Sequence, residues 1–478
     1  MKAILINHNE EYAVREIINS YFPKLKIEFG AVLDSKEDYI ISKLTTKNEQ
    51  YTYECECSLS GRKHSTTLQY NGYSKNKIKK SISDCLNKIT DIKLPWGLLT
   101  GIRPAKMVRE FLKTNTGSIK DAVDFLINEY ETNVQKSNLA VTVEENEKKH
   151  IDSMISNGIS LYIGIPFCPT RCLYCSFTSQ SVSFSNKLTN EYTDCLIKEI
   201  TEISKHNYIK NHIIESVYFG GGTPTALEAN QIELILKALF ENFDLSQIKE
   251  FTFEAGRPDT IDKDKLELLK KFGISRISIN PQTSKDDTLK IIGRNHTYKD
   301  FENAYKLARS MGFTHINCDI IAGLPDEDLS DFKTTLTTLL NLNPESITVH
   351  TMCIKHGSYL DMKYDMYSMA TSKTVNSMLD YAHTTLAEAG LIPYYLYRQK
   401  NMLGNLENVG YCIPGHECIY NIYIMEEVQS ILALGGGAST KIVTCDNIER
   451  SFNVKEVSEY INRIDEMIER KMKFLDNF

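Results

Sequence analysis

The sequence lacks an apolar run long enough to cross a bilayer, which takes about 20 residues. Its amino terminus carries only a short apolar run, at residues 3–6, and acidic residues follow within a few positions. A run of that length is too short for the hydrophobic core of a signal peptide. These absences predict a soluble, cytoplasmic protein without a membrane span.

The sequence also lacks an excess of positive charge and any low-complexity tract. Lys and Arg number 55 against 62 Asp and Glu, which gives a formal net charge of −7. That balance argues against a chain that binds nucleic acid along its surface. Hydrophobic residues make up 42% and charged residues 24%, as in ordinary globular proteins, so disordered and fibrous classes are excluded.

Cysteine, by contrast, is abundant, with twelve residues. In a reducing compartment so many thiols indicate metal or redox chemistry before disulfides. Cys55 and Cys57 lie two apart in TYECECSL, a segment whose pattern predicts a strand. They would share one face of that strand. Because no other metal ligand is near them in sequence, we expect them to pack as small buried groups.

Changes of pattern along the chain predict four regions. Residues 1–92 mix strand and helix patterns and predict a small α+β domain. Residues 93–157 are mostly helical and open with LPWGLLTGIRP, which holds the only tryptophan, Trp96. Residues 158–390 alternate short apolar strands with amphipathic helices, and residues 391–478 form a different, C-terminal region.

The third of these regions predicts an α/β fold with six parallel β/α units. Its strands are LYIGIP, SVYFGG, EFTFEA, RISIN, HINCDIIAGL and SITVHTM, with helical segments between them. Short apolar strands that alternate with helices are typical of a parallel sheet covered by helices. Six units are fewer than the eight of a closed barrel, so we expect a partial (β/α)6 barrel.

The strongest chemical signal follows the first of these strands. Cys168, Cys172 and Cys175 are spaced C-x3-C-x2-C on one loop, where their sulfurs can converge. Thiolates select zinc, copper(I) or iron–sulfur clusters. A 4Fe–4S cluster with three protein ligands keeps one iron open for a reactant, whereas a closed zinc site would need a fourth ligand from a distant part of the chain.

A glycine-rich segment follows the second strand. Residues 220–225 read GGGTPT and lie at the carboxyl end of the strand, where β/α folds build active sites. Glycines there let backbone groups approach a ligand closely. Ordinary turns use the same residues, so this segment alone leaves a structural role open.

Together these two motifs resemble the radical S-adenosylmethionine (SAM) superfamily. IPFCPTRCLYCSF followed by YFGGGTPT is similar in particular to its coproporphyrinogen III oxidase-like branch, which includes HemN, HemW and HemZ. LPWGLLTGIRP, YYLYRQKNMLGNLENVGY and the extra N-terminal domain resemble the HemZ group of that branch. The resemblance covers the whole chain and implies a radical SAM (β/α)6 core with a HemN-like C-terminal extension on the substrate side.

The resemblance implies a cofactor set and the residues that hold it. A 4Fe–4S cluster would be ligated by Cys168, Cys172 and Cys175, and its open iron would take the amino and carboxylate groups of SAM. Tyr162 and Glu254 match family positions beside the reacting cofactor and are the predicted catalytic residues. The SAM-binding residues it implies are Tyr162, Tyr174, Gly221, Gly222, Thr223, Glu254, Gln282, Arg294, Asp319 and Ser439, with Ala438 beside the last.

The reaction that the resemblance implies is the oxidative decarboxylation of coproporphyrinogen III. The reduced cluster would cleave SAM to a 5′-deoxyadenosyl radical, which takes hydrogen from a propionate before carbon dioxide leaves. Two such events give two vinyl groups and hence protoporphyrinogen IX, with electrons supplied by a donor such as flavodoxin or ferredoxin. Because the substrate carries carboxylates, Arg398 and Lys400 are the predicted substrate-binding residues, and a surface or structural role of the same stretch stays open as the alternative.

One position departs from the family pattern. HemN has a fourth cysteine two residues after the third, where this chain has Phe177, as HemW does. Two alternatives therefore stay open: a haem-binding or haem-delivery protein of the HemW kind, and a radical SAM enzyme that opens the haem ring or transfers a methyl group to it. His350 and His356 would be candidate haem ligands, although such histidines are more often structural.

Overall fold

The chain folds into two compact units, each with a sheet of its own. The first comprises Met1–Glu144, Thr371–Asn376 and Leu396–Glu407, and the second comprises Glu145–Ala370, Ser377–Tyr395 and Asn408–Phe478. The structure is a computed structural model that describes residues 1–23, 25–30, 38–115, 117–176, 180–181, 186–355, 357–399, 402–445 and 447–478.

The first unit is built on five strands with helices packed against them. The strands are β1 (Lys2–Ile6), β2 (Glu28–Phe29), β3 (Tyr39–Lys47), β4 (Gln50–Leu59) and β5 (Arg62–Asn71), in the sheet order β2-β1-β3-β4-β5. The helices are α1 (Glu11–Tyr21), α2 (Lys75–Thr90), α3 (Pro104–Thr114), α4 (Ile119–Tyr130) and the first part of α5 (Val134–Asp152). The apolar faces of α1 and α2 and alternate residues of the central strands bury a core that includes Ile17, Ile40 and Ile82.

A buried polar cluster surrounds the tryptophan in this unit. The indole Nε1 of Trp96 donates to Glu407 Oε2 at 2.7 Å, and Lys136 Nζ pairs with Glu407 Oε1 at 2.6 Å. The guanidinium of Arg398 lies 5.2 Å from the centre of the Trp96 ring. Because the buried carboxylate has both a counter-charge and a hydrogen-bond donor, the cluster can hold the LPWGLL segment inside the unit.

The second unit carries the predicted β/α series. Its strands are β6 (Gly158–Ile165), β7 (Phe167–Cys168), β8 (Gln180–Ser181), β9 (Ile213–Gly221), β10 (Glu250–Glu254), β11 (Arg276–Ser278), β12 (Ile316–Ala322), β13 (Ser346–Thr351), β14 (Ile392–Tyr397), β15 (Asn408–Cys412), β16 (Ser430–Leu434), β17 (Ser439–Val443) and β18 (Ile448–Phe452). Apart from β7 and β8, which pair with each other, they form one sheet in the order β14-β15-β13-β12-β11-β10-β9-β6-β16-β17-β18. Strands β6 and β9 to β13 are parallel and follow chain order, which confirms the predicted partial (β/α)6 barrel.

Helices alternate with these strands and cover the sheet. They are the rest of α5, then α6 (Asn186–Ile203), α7 (Asn207–Lys210), α8 (Ala229–Asn242), α9 (Lys263–Lys271), α10 (Asp286–Ile291), α11 (Tyr298–Ser310), α12 (Leu329–Leu340), α13 (Tyr359–Met362), α14 (Ser372–Glu388), α15 (Ile419–Glu426), α16 (Val457–Asn462) and α17 (Ile464–Leu475). Within the described ranges, no helix combines the length and the apolar character needed to cross a membrane.

Parallel pairing places the carboxyl ends of the central strands along one edge of the sheet. Ile165 at the end of β6 pairs with Gly221 at the end of β9, and Glu254 at the end of β10 pairs with Ser278 of β11. Because parallel strands end at the same edge, the cysteine loop, the glycine-rich segment and Glu254 all lie at this edge.

A buried carboxylate holds the turn after β16 at the same edge. Glu199 of α6 accepts hydrogen bonds from Gly435 N at 2.8 Å and from Tyr460 Oη at 2.6 Å, and it pairs with Lys471 Nζ at 2.5 Å. The side chains of Glu199 and Lys471 are 0% and 1% exposed. Gly435 has a φ of +101°, and a Cβ there would overlap the carbonyl oxygen of Gly164 in β6. Glycine and the buried ion pair together let this turn pack on β6.

Replacing Lys471 with methionine is expected to lower the free energy of unfolding by about 3–5 kcal/mol, because it leaves the Glu199 carboxylate buried without its counter-charge. Urea denaturation of the full chain measures the change. Lys473→Met is the matched control, since Lys473 pairs with Glu469 at 2.6 Å but the two side chains are 71% and 66% exposed. That variant is expected to lose less than about 1 kcal/mol. Equal losses in the two variants would contradict the role given to the buried pair.

Candidate functional site

The three motif cysteines lie on the loop that leaves β6, at the carboxyl edge of the sheet. Cys168 ends β7, and Cys172 and Cys175 follow it. All three are partly exposed, in contrast to fully buried thiols such as Cys318. Thr223 Oγ1, from the glycine-rich segment, donates to Cys168 Sγ at 3.5 Å. The two sequence motifs are therefore in direct contact.

Arg257 is a residue of this site that the sequence reasoning missed. Its side chain is 3% exposed, pairs with Asp259 at 3.0 and 3.1 Å, and donates to Thr170 Oγ1 at 3.0 Å. Its Nη1 also lies 3.9 Å from Cys172 Sγ. A cation beside a cysteine stabilises negative charge on the sulfur. The one signal in the sequence was the position of Arg257 just after the third strand of the series, at the edge where ligands bind.

The glycine-rich segment packs directly on the strand that leads to the first motif cysteine. Gly222 N donates to Ile165 O at 2.8 Å. A Cβ on Gly222 would overlap the carbonyl oxygen of Phe167, and Gly221 has a φ of +105°, a region that favours glycine. Packing therefore requires these glycines, and this packing brings the segment beside the cysteine loop.

Three tyrosine rings stack beside the carboxyl group of Glu254. Tyr162, Tyr218 and Tyr420 stack with ring centres 4.5 to 6.3 Å apart. Tyr218 Oη donates to Glu254 Oε1 at 2.5 Å. Burial raises the pKa of Glu254 to about 7, and the negative charge of Asp319 acts in the same direction. A carboxyl group with such a pKa can serve near neutral pH as a proton acceptor or as a charged ligand. Tyr218 and Tyr420 were not predicted.

Asp319 of β12 is the second carboxylate of the site and faces β13. Its Oδ2 lies 3.5 Å from His350 Nε2, and its Oδ1 accepts a hydrogen bond from Asn317 Nδ2 at 2.8 Å. Burial acts to raise the pKa of Asp319, but hydrogen bonds and charge from His350, with hydrogen bonds from Asn317 and Thr348, hold that pKa below its usual value. The side chain is 20% exposed, so an ionised carboxylate remains accessible to a ligand.

Gln282 has an unusual backbone and an unsatisfied side chain. Its φ is +65°, a strained conformation for a residue other than glycine. Its main chain is fixed by β12, since its N–H donates to Asp319 O and its carbonyl accepts from Ile321 N, both at 3.0 Å. Among the described residues, no group hydrogen-bonds its buried side-chain Oε1. Buried polar atoms normally have a partner, so this oxygen is suited to a ligand donor.

Arg294 connects the cysteine loop with the loops after β10 and β11. It is 6% exposed, and its Nη1 donates to Asn280 O at 2.7 Å and to Gly256 O at 3.3 Å. Burial acts to lower the pKa of Arg294, but the charges and hydrogen bonds of Tyr174 and Cys172 raise it overall. Arg294 and Tyr174 therefore lie together beside a motif cysteine.

Ser439 and Ala438 lie at the start of β17. Ser439 pairs with Phe452 of β18, and Ala438 is 3% exposed. Strand β16 runs parallel to β6 and β17 returns antiparallel to it, so β17 begins at the carboxyl edge. Direct contact of these two residues with SAM stays a prediction.

Of the two predicted substrate residues, the structure describes Arg398. Arg398 belongs to the first unit, where it is 3% exposed and its guanidinium donates to the carbonyls of Leu99, Gly101 and Asn405. Burial lowers its pKa to about 10. These contacts describe packing, and a bond to a substrate carboxylate stays a prediction. Lys400, Phe177 and His356 lie outside the described residues.

The donor set fits a 4Fe–4S cluster with SAM. In such a cluster each thiolate binds a different iron atom, whereas a single ion needs its ligands to converge on one point. Cys168, Cys172 and Cys175 supply three partly exposed thiols from one loop. The carboxylates of Glu254 and Asp319 and the side-chain oxygen of Gln282, which no described group hydrogen-bonds, are acceptors suited to amino and hydroxyl groups.

Comparisons with known proteins place these residues in a family. The model of the radical SAM superfamily matches residues 162–339. The oxygen-independent coproporphyrinogen-III oxidase-like protein HemZ of Bacillus subtilis is 36% identical over 97% of this chain and 95% of its own length. The heme chaperone HemW of the same organism is 31% identical over 48% of this chain and 64% of its own length. The solved structure of coproporphyrinogen III oxidase (HemN) from Escherichia coli has a TM-score of 0.54 and 23% identity, covering 67% of this chain and 72% of its own, which shows a shared fold.

Proposed function

Because the chain belongs to the HemZ family of oxygen-independent coproporphyrinogen-III oxidase-like proteins, within the radical SAM superfamily, we propose that it oxidatively decarboxylates coproporphyrinogen III to protoporphyrinogen IX. The observation that carries the proposal is the placement of the partly exposed cysteine loop at the same sheet edge as two carboxyl groups whose pKa values are shifted in opposite directions. The pKa of Glu254 is raised to about 7 and that of Asp319 is lowered. Such a separation is typical of functional sites.

In this proposal Cys168, Cys172 and Cys175 hold the 4Fe–4S cluster. When bound, the cluster and SAM supply one-electron chemistry and a radical that abstracts hydrogen from the substrate. Asp319 is suited to accept hydrogen bonds from ribose hydroxyls, and Glu254 to accept one from the amino group of SAM. The other residues proposed to line the cofactor are Tyr162, Tyr174, Gly221, Gly222, Thr223, Gln282, Arg294 and Ser439.

The tyrosine stack supports the proposal in a second way. Its rings place apolar surface beside the carboxyl group of Glu254. Apolar walls exclude water from a reacting centre and strengthen the electrostatic interactions inside it. The stack would therefore shield reactive species from water and strengthen the electrostatic interactions of Glu254.

A second candidate function is the binding or delivery of haem. The observation in its favour is the sequence likeness to several proteins named heme chaperone HemW, which covers about half or more of this chain. In that case the protein would bind haem tightly and leave coproporphyrinogen III unchanged.

An anaerobic turnover assay separates these functions. The reconstituted protein receives SAM, a reductant, an electron acceptor and coproporphyrinogen III, and mass spectrometry follows 5′-deoxyadenosine and the porphyrin products together. Formation of both 5′-deoxyadenosine and protoporphyrinogen IX is the expected result. 5′-Deoxyadenosine without a porphyrin product would reject this substrate and make haem the next one to test. The absence of both, with the cluster spectroscopically intact, would favour the haem-binding function.

Replacing His350 with alanine is expected to weaken SAM binding by about 5-fold, because one hydrogen-bonding partner of the Asp319 carboxylate is lost. Isothermal titration calorimetry on the cluster-loaded protein measures the dissociation constant. His206→Ala is the control, since His206 also faces an aspartate, Asp476, at 3.0 Å. It lies shortly before β9 begins, at the opposite edge of the sheet, so its loss should leave SAM affinity unchanged. If the His350 variant bound SAM with unaltered affinity, His350 would not contribute to the proposed SAM site.

A further inference from the structure

A second group of cysteines lies in the first unit. Cys55 and Cys57 are on one face of β4, and Cys85 is on α2, which packs against that face. The three residues are 2%, 0% and 0% exposed. The sequence predicted that Cys55 and Cys57 are buried on one face of a strand. The packing of α2 on the sheet brings a third thiol, that of Cys85, to the same place.

Two of these thiols are in direct contact. Cys57 Sγ lies 2.7 Å from Cys85 Sγ, a separation that approaches the disulfide bond length of about 2.05 Å. Cys85 Sγ also lies 3.0 Å from the carbonyl oxygen of His64, which pairs with Cys57 across β4 and β5. Cys55 is also near, since its thiol interacts with that of Cys85 and its carbonyl oxygen lies 3.8 Å from Cys85 Sγ. The 2.7 Å sulfur–sulfur separation, however, joins Cys57 and Cys85, and it favours these two as the pair.

We propose that Cys57 and Cys85 form a dithiol site that hydrogen peroxide oxidises to a disulfide between β4 and α2. In the first step one sulfur attacks the peroxide. An S–O bond forms, the O–O bond breaks, one water is released, and the attacking thiol becomes a sulfenic acid. In the second step the other sulfur attacks the oxidised one: the S–S bond forms, the S–O bond breaks, and a second water leaves. Two thiols lose two electrons and two protons, and one peroxide is reduced to two waters.

Burial determines which oxidant can reach the pair. A tripeptide disulfide such as oxidised glutathione cannot enter a site whose sulfurs have no exposed surface, whereas peroxide is close to water in size. Cys445, by contrast, is exposed and open to both oxidants. The new bond would close a loop between residues 28 positions apart and so stabilise the folded first unit.

Differential alkylation of the full-length protein tests the proposal. The reduced protein is treated with hydrogen peroxide, its remaining thiols are alkylated, and tryptic peptides are analysed by mass spectrometry. Cleavage at Arg62 and Lys80 separates Cys57, together with Cys55, from Cys85. We expect the two peptides to be joined, two hydrogen atoms lighter than their sum. We also expect the melting temperature of the oxidised protein to be higher.

Two matched variants identify the partner of Cys85. Cys55→Ser and Cys57→Ser alter neighbouring positions on one face of β4, and the link is expected to persist in the first and to disappear in the second. Persistence in Cys57→Ser would overturn the pairing. Should a variant fail to fold, fragmentation of the wild-type linked peptide between Cys55 and Cys57 locates the bond directly.

The choice of oxidant gives an independent test. Oxidised glutathione is expected to modify Cys445 and to leave Cys57 and Cys85 free to alkylate after unfolding. If oxidised glutathione oxidised Cys57 and Cys85 as fully as it modified Cys445, the proposed exclusion of the larger oxidant would be overturned. Free thiols at Cys57 and Cys85 after peroxide treatment that oxidises Cys445 would overturn the proposal itself.

Discussion

Replacing Cys172 with alanine is expected to abolish SAM cleavage by the reconstituted protein. Cys172 is one of three thiols in the proposed cluster set, and its sulfur lies 3.9 Å from the Arg257 guanidinium. Changes to groups that merely support a metal ligand cost roughly 10- to 100-fold, so the loss of a ligand should exceed about 100-fold. Iron content per chain and the rate of 5′-deoxyadenosine formation measure the effect.

Cys195→Ala is the matched control for that variant. Cys195 of α6 is partly exposed like Cys172, and its thiol donates to the carbonyl of Ile461 at 3.8 Å. Its replacement should leave iron content and SAM cleavage at the wild-type level. A Cys172 variant that keeps its full iron content, or equal losses in both variants, would contradict the assignment of the cluster ligands.

The barrel and much of the site could be predicted because their signals are local in the sequence. Each short apolar strand is read from a few neighbouring residues, and parallel β/α units place every strand end at one edge. It follows that Cys168, Gly222 and Glu254 lie at the same edge, although they are far apart in the chain. The structure brings these residues to that edge.

The missed residues depend on contacts that no local pattern records. Tyr218 meets Glu254 across 36 positions, and Cys57 meets Cys85 across 28. Such contacts depend on the order of the strands in the sheet and on how the helices pack against it. The properties of single residues specify neither of these. Arg398 was selected from its charge and its neighbouring tyrosines alone. The structure adds that its Nη atoms donate to main-chain carbonyls of the first unit, and its bond to a substrate carboxylate stays a prediction.

Replacing Glu254 with glutamine is expected to remove a pH-dependent step in SAM affinity centred near pH 7. The pKa of Glu254 is raised to about 7 by burial, so the group is neutral below that pH and ionised above it. An ionised carboxylate binds a cationic ligand and a neutral one does not, so affinity should rise by about 10-fold between about pH 6 and about pH 8. Glutamine cannot ionise, yet its amide oxygen still accepts the hydrogen bond from Tyr218.

Glu327→Gln separates this effect from a general response to pH. Burial raises the pKa of Glu327 to about 7 as well, and its carboxylate accepts a hydrogen bond from Thr283 Oγ1 at 2.6 Å. The two glutamates therefore titrate over the same range, but only Glu254 belongs to the proposed SAM contacts. Calorimetric titration of SAM across that range should show the step in wild type and in Glu327→Gln, and its absence in Glu254→Gln. A step that survives in Glu254→Gln would assign the titration to another group, with Glu254 then serving to hold Tyr218 in the stack.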